Sequence, residues 1–273
     1  MFLVTGGSGF IGSHLTECLI TLGQPVRCLV RRRSPRRYLP SSGAELVYGD
    51  LATGVGLREA LAGVDTVIHL AGVTKAQSAA AYQAGNAQAT ARLLSFCNSV
   101  ARFVHVSSLA AAGPSETGEP LTESAEPHPV SAYGRSKLES ERIVWGSALA
   151  SRAIVVRPPV VYGPRDGDVF QMIRPAVRGW MLQIGSGERF FSVIYVKDLV
   201  EGLLAAATAP EAGKTYFLAG PKAVSWTEFG AAAANLAGRR LRTVAVPRLV
   251  AGAVGLAGEW WWRLSGRPVI LSR

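Results

Sequence analysis

The chain has 273 residues and a mass of 28.9 kDa, enough to bury a substantial core as one large domain or two smaller lobes. Its formal net charge of +10 invites a nucleic-acid or membrane-surface role. The densest basic cluster, Arg31-Arg32-Arg33-Ser34-Pro35-Arg36-Arg37, is however a single loop without an aromatic-interleaved stripe, so no nucleic-acid partner is expected. Cys18, Cys28 and Cys97 contain no C-x-x-C pair, which speaks against a disulfide framework and for reduced thiols in a cytoplasmic protein; no metal site is expected.

Phe2-Leu3-Val4-Thr5 reads as a short buried strand beginning practically at Met1, so no signal peptide is expected before it. Gly6-Gly7-Ser8-Gly9-Phe10-Ile11-Gly12 follows, and then Ser13–Ile20 with helical periodicity. Strand, glycine turn and helix form the context of a dinucleotide fingerprint. Gly6 permits the tight exit from the strand, Gly9 lets a pyrophosphate approach the backbone, and Gly12 lets the helix pack closely. The helix N-terminus offers unpaired N–H groups and a positive dipole end to the phosphates. Further apolar strands are predicted near 26–30, 45–48, 65–70, 102–107 and 153–157, alternating with helices, which predicts a parallel sheet covered on both faces. Arg31 closes the second strand, where an acid would suit the ribose 2′-hydroxyl of NAD and an arginine suits the 2′-phosphate of NADP. With Arg32 and Arg33 beside it, NADP is favoured over NAD.

Residues 112–130 carry four prolines and few large apolar side chains, a loop suited to closing over a ligand. Ser131-Ala132-Tyr133-Gly134-Arg135-Ser136-Lys137 follows. Tyr133 and Lys137, four residues apart on a helix, share one face, and a phenol beside an ammonium can ionise near neutral pH. Bringing a tyrosine from about 10 to about 7 takes roughly 4 kcal/mol of preferential phenolate stabilisation. Beyond residue 157 regularity loosens: helices near 168–179, 196–208 and 225–237 interleave with strand-like pieces at 189–194, 214–218 and 241–246. Residues 1–157 are expected to form the nucleotide-binding domain, and 158–273 a smaller substrate lobe partly threaded back into it. Leu249–Gly258 is too short and glycine-rich for a membrane span. Trp260-Trp261-Trp262 could meet a membrane interface or pack on the lobe or on a missing C-terminal segment; packing is favoured, and membrane association is not expected.

The G-x-x-G-x-x-G spacing together with Tyr-x-x-x-Lys resembles the short-chain dehydrogenase/reductase superfamily. The run Thr5–Leu15 is similar to its extended branch, the NAD-dependent epimerase/dehydratase family. Agreement extends along the chain: Gly49-Asp50-Leu51, His69-Leu70-Ala71-Gly72, Asn86 with Thr90 and Leu93-Leu94 (Ala89 replacing the usual glycine), Val106-Ser107-Ser108, Arg157-Pro158-Pro159-Val160-Val161-Tyr162-Gly163-Pro164 and Val196-Lys197-Asp198. The resemblance implies a Rossmann-type doubly wound α/β sheet with a smaller C-terminal substrate lobe. It implies an NADP or NAD site made by Gly6, Gly9, Phe10, Ile11, Gly12, Arg31, Asp50, Leu51, Leu70, Ala71, Gly72, Tyr133, Lys137 and Pro158. It implies catalysis by Ser108, Tyr133 and Lys137, and a homodimer through helices near 79–98 and 131–149. Ser108 would hold the substrate oxygen against the phenol, although a strand-end serine can equally cap the next segment. Family members usually continue past Ile270-Leu271-Ser272-Arg273, so a shortened lobe is expected.

Departures from the family pattern narrow the reaction. The 4,6-dehydratases carry an Asp-Glu pair after the catalytic hydroxyl residue; here stand Leu109-Ala110, which cannot move protons. Nucleotide-sugar epimerases usually place an Asn where this chain has Val160, and commonly an Arg where it has Phe191, although Arg189 is near. Phe190–Asp198 looks more like relatives that act on less polar substrates, and Trp180, Phe190 and Phe191 could line an apolar site or simply form lobe core. Three readings follow: an NAD(P)-dependent oxidoreductase of a secondary alcohol or ketone, a nucleotide-sugar epimerase retaining NAD, and a non-catalytic NAD(P)-binding scaffold or sensor.

Overall fold

The computed structural model describes residues 1–185, 187–209 and 211–247; the apolar stretch 249–258, the tryptophans 260–262 and the chain end lie outside the described residues. Strands β1 (Phe2–Thr5), β2 (Val26–Val30), β3 (Ala44–Tyr48), β4 (Thr66–His69), β5 (Arg102–Val106) and β6 (Ala153–Arg157) alternate with helices α1 (Phe10–Thr21), α2 (Leu57–Leu61), α3 (Ala79–Gln83), α4 (Ala89–Leu94) and α5 (Ala132–Trp145). All of β2 and β6 is buried, as strands covered on both faces require. After them come β7 (Val160–Tyr162), α6 (Asp168–Val177), β8 (Trp180–Ile184), β9 (Phe190–Tyr195), α7 (Val196–Thr208), β10 (Lys214–Phe217), β11 (Ala223–Ser225), α8 (Trp226–Leu236) and β12 (Arg242–Val246).

The main sheet has seven strands in the order β10-β6-β5-β4-β1-β2-β3, every neighbouring pair parallel. The chain winds outward from β1 to one edge, returns through β4 and winds to the other. That reversal leaves a crevice beyond the carboxyl ends of β1 and β4, where open α/β sheets bind ligands. One face of the sheet is packed by Leu3, Val67, Phe103 and Val155 against Leu57, Leu93 and Val144 of the helices.

The chain divides into two compact units, each assembled from two stretches of sequence. Met1–Pro159 and Ile194–Ala219 form the first; Val160–Val193 and the described residues from Gly220 form the second. The cause is β10, which pairs with β6 in register Lys214↔Ile154 to Phe217↔Arg157 and so returns the chain to the main sheet. Within the second unit, β9 and β11 pair antiparallel and β8 and β12 pair parallel. Trp180 and Phe190 are exposed. Phe191 instead packs against Trp226 and Phe229, ring centroids 6.1 and 5.7 Å away. A continuous Trp180/Phe190/Phe191 wall therefore does not form. No helix among the described residues is long and apolar enough to cross a membrane.

Between α3 and α4 the helix widens to a π-turn over Ala84–Gln88, burying Asn86 and Ala87. Such insertions re-aim side chains and recur at functional sites.

Candidate active site

The glycine turn is dictated by backbone geometry. Gly6 leaves β1 with φ +75°, a region that side chains with a Cβ rarely adopt. A Cβ on Gly12 would lie 2.2 Å from the Gly6 carbonyl oxygen, so only glycine lets α1 start this close to the turn. Gly9 caps α1 in extended conformation without any side-chain partner for the helix amides. The turn that precedes them lines, through Gly6, Ser8 and Gly9, a cavity of about 330 Å³ formed by the ends of β1, β2, β3 and β4. This volume falls within the range of small-molecule sites.

Eight of the fourteen residues expected at the cofactor line this cavity: Gly6, Gly9, Arg31, Asp50, Leu51, Leu70, Ala71 and Gly72. Phe10, Ile11, Gly12, Tyr133, Lys137 and Pro158 do not. Phe10 stacks edge-on against His14, and the Pro158 carbonyl accepts from the Leu109 amide at 2.9 Å. Ser8, Ser34 and Val73 line the cavity without having been expected there. Of the arginine run only Arg31 reaches it. Arg32 lies over the Tyr48 ring at 5.5 Å, and Arg33 is exposed. The cradle fits a dinucleotide: an open approach at Gly9, uncapped helix amides for phosphates, and a cation at the end of β2.

Ser108 follows β5 and does two things. Its Oγ accepts from the Ala110 amide at 3.2 Å, capping the short turn Leu109–Ala111, and its hydroxyl lies close enough to the Tyr133 phenol to pull it down. Tyr133 sits in the first turn of α5, which is started by Ser131 accepting from the Gly134 amide at 3.0 Å. Burial pushes the Tyr133 phenol above its ordinary value, the Ser108 hydroxyl opposes this, and the neighbouring Tyr82 pushes it up. One helical turn along α5, Lys137 is 5% exposed, and its Nζ donates to the Val106 carbonyl at 2.8 Å. Burial brings that ammonium down to about 8, with Glu141 opposing the shift.

Asn86 was matched in sequence without a role. Its amide nitrogen donates to Ser136 Oγ at 2.8 Å and to the Val73 carbonyl at 3.1 Å, and its oxygen accepts from the Val73 amide at 2.7 Å. It thus fastens the cavity wall to the helix bearing Tyr133. Tyr82, unremarked in the sequence, places its ring centroid 5.9 Å from that of Tyr133. Glu141 was missed too, although Arg157 gave a signal: a charge inside an otherwise apolar buried strand demands a partner.

Under the site lie two buried imidazoles. His69 bridges Thr5 and Thr90 at 2.7 and 3.0 Å, and His105 bonds Ser140 at 2.8 Å. Burial, then the Lys137 charge, pulls His69 down to about 3 and His105 well below the ordinary value. The unfolded imidazoles take up protons below about 6.5 while the folded ones do not, so their contribution to stability is complete above that pH and is lost as pH falls. Urea unfolding between pH 7 and pH 5 should show stability declining by up to about 1.4 kcal/mol per pH unit for each imidazole. A flat profile there would contradict the buried neutral pair.

A doubly wound parallel sheet with a glycine turn at its reversal and a phenol, hydroxyl and lysine beside it defines a dinucleotide-dependent α/β protein. The chain belongs to the NAD dependent epimerase/dehydratase family, whose model matches residues 2–219, a family of NAD(P)-dependent oxidoreductases and epimerases. It is 29% identical over 270 residues to the 4-hydroxy-2-methyl-3-oxo-4-farnesyl-3,4-dihydroquinoline-1-oxide ketoreductase of Stigmatella aurantiaca, covering 95% of this chain and 80% of that one. It is 30% identical to the ceramide reductase of Caulobacter vibrioides, covering 98% and 80%. Among solved structures, MoeE5 in complex with UDP-glucose and NAD superposes with TM-score 0.78 and 30% identity, covering 91% and 86%.

Proposed function

We propose that this protein is an NADP(H)-dependent ketoreductase acting on a secondary alcohol or ketone carried by an apolar molecule. The carrying observation is Tyr133 and Lys137 one helical turn apart on α5, with Ser108 at the end of β5 beside the phenol. The nicotinamide, when bound, supplies or accepts the hydride at the carbonyl carbon. Ser108 orients the carbonyl oxygen, and Tyr133 gives that oxygen its proton. Half-buried Tyr133 keeps its proton until it is given to the carbonyl oxygen; solvent then reprotonates it. Lys137 holds positive charge beside the developing phenolate.

The apolar substrate is supported by what is missing. Leu109 and Ala110 form the turn after Ser108 and cannot move the second proton a dehydration needs. Phe191 is engaged in an aromatic cluster with Trp226 and Phe229, and two relatives bear the names of reductases of a farnesylated ketone and a ceramide. NADP is favoured by Arg31 and Ser34 at the cavity edge. The second unit serves as the substrate lobe, and α3–α4 with α5 as the face of a homodimer, which light scattering would test.

The test is absorbance at 340 nm with NADPH and a panel of long-chain ketones and UDP-sugars. Consumption of NADPH by a ketone, with tighter binding of NADPH than NADH, is expected. Inversion of a UDP-sugar without absorbance change would establish an epimerase, a reading that the NAD and UDP-glucose of MoeE5 keep in view. No turnover of any member would favour a non-catalytic sensor.

A further inference from the structure

Resting on the reading of Tyr133 and Lys137 as the reacting pair, we propose that Glu141, clamped by Arg157, is a positioning residue that fastens α5 to the end of β5 and so keeps the Lys137 ammonium on the Val106 carbonyl, one helical turn along α5 from Tyr133. Positions 133, 137 and 141 follow one another along α5 at four-residue spacing and share a face. Glu141 is 2% exposed. Its Oε1 accepts from Arg157 Nε at 2.9 Å and its Oε2 from a terminal Arg157 nitrogen at 2.6 Å, a planar fork that leaves the carboxylate little freedom. The Ser107 hydroxyl donates to Oε1 as well. Arg157 itself lies over the Phe217 ring at 5.7 Å.

This arrangement ties α5 to the end of β5 at successive residues. Val106 receives the Lys137 ammonium and Ser107 bonds Glu141, while Ser108 follows at the phenol of Tyr133. A buried ion pair is a weak stabiliser in itself, because desolvation offsets most of the attraction. Its position beside Lys137 gives it another use. The charged and titratable groups that interact with Lys137 are Glu141 from its own helix, His69 from β4 and His105 from β5. Both imidazoles are neutral, and Arg157 is committed to its pair. Glu141 is the group that favours the charged lysine against burial.

The chain has only five lysines, Lys75, Lys137, Lys197, Lys214 and Lys222, so the Lys137 ¹³Cε resonance can be followed in lysine-labelled apoprotein and identified by its absence in Lys137→Arg. Glu141→Gln should lower its titration midpoint by about one pH unit or more. Should that variant not fold, Glu141→Met with Arg157→Met removes both charges at similar volume, an exchange that is often neutral, and should give a smaller downward shift, because the opposing charge of Arg157 is lost as well. An unmoved midpoint in either folded variant overturns the proposal; if neither folds, the pair is a structural tie and the proposal falls. The titration needs no substrate, so it fails separately from the underlying reading. An unmoved midpoint with an inactive Tyr133→Phe removes the role of Glu141 alone. A shifted midpoint with a fully active Tyr133→Phe removes the reacting pair.

Discussion

Tyr133→Phe should lower turnover about 10²–10⁴-fold, the usual contribution of a positioned general acid, while leaving NADPH affinity within a factor of two or so of the parent. The ring is kept, so its packing 5.9 Å from Tyr82 persists, and Tyr133 does not line the nucleotide cavity. What disappears is the proton donor beside Ser108. Tyr82 cannot substitute, because its hydroxyl is turned to the Thr74 carbonyl at 3.3 Å. Stopped-flow turnover beside a fluorescence titration of NADPH reads both quantities. Parent-level turnover in the variant would dismiss the proposed reaction, and a parallel loss of NADPH binding would recast Tyr133 as a cofactor residue.

The first six strands were legible because each is a short run rich in apolar residues bounded by turn residues, and in β2 and β6 burial of every residue leaves no alternation to misread. The strands that escaped, β7, β8 and β11, all lie in the second unit. β8 pairs with β12 about sixty residues later, and the three-residue β7 emerges from a proline-rich run without an apolar period of its own. Local pattern cannot report such pairings. The site shows the same divide. Gly6, Gly12 and the Tyr133/Lys137 spacing are local necessities of a turn and a helix, so the sequence displays them. The direction taken by the Lys137 ammonium depends on Val106, thirty-one residues earlier, and the helix π-turn that buries Asn86 leaves no mark in Ala84-Gly85-Asn86-Ala87-Gln88. Arg31 and Arg32 look equivalent as neighbours; only the fold shows Tyr48 drawing Arg32 onto its ring while Arg31 faces the cavity.

Gly12→Ala should damage stability and cofactor binding together. The added Cβ would sit 2.2 Å from the Gly6 carbonyl oxygen and 2.7 Å from Gly7 Cα, and both are backbone atoms of the turn itself. No rotamer change relieves such a contact, so α1 must move away or the turn must open. Overpacking of this kind costs about 1–3 kcal/mol, sometimes more. Displacing the α1 amides should in addition weaken NADPH binding by about 10²-fold, equivalent to about 2.7 kcal/mol. Gly9→Ala is the informative contrast. Its Cβ would meet only the Gly6 oxygen, at 3.2 Å, and Gly9 lines the cavity. That variant should unfold within about 1 kcal/mol of the parent and still bind NADPH poorly, because the methyl group occupies the approach of the phosphates. Urea unfolding and NADPH titration on both variants separate the two glycines. If Gly12→Ala proves as stable and as competent as the parent, α1 does not abut the turn as described and the phosphate cradle lies elsewhere.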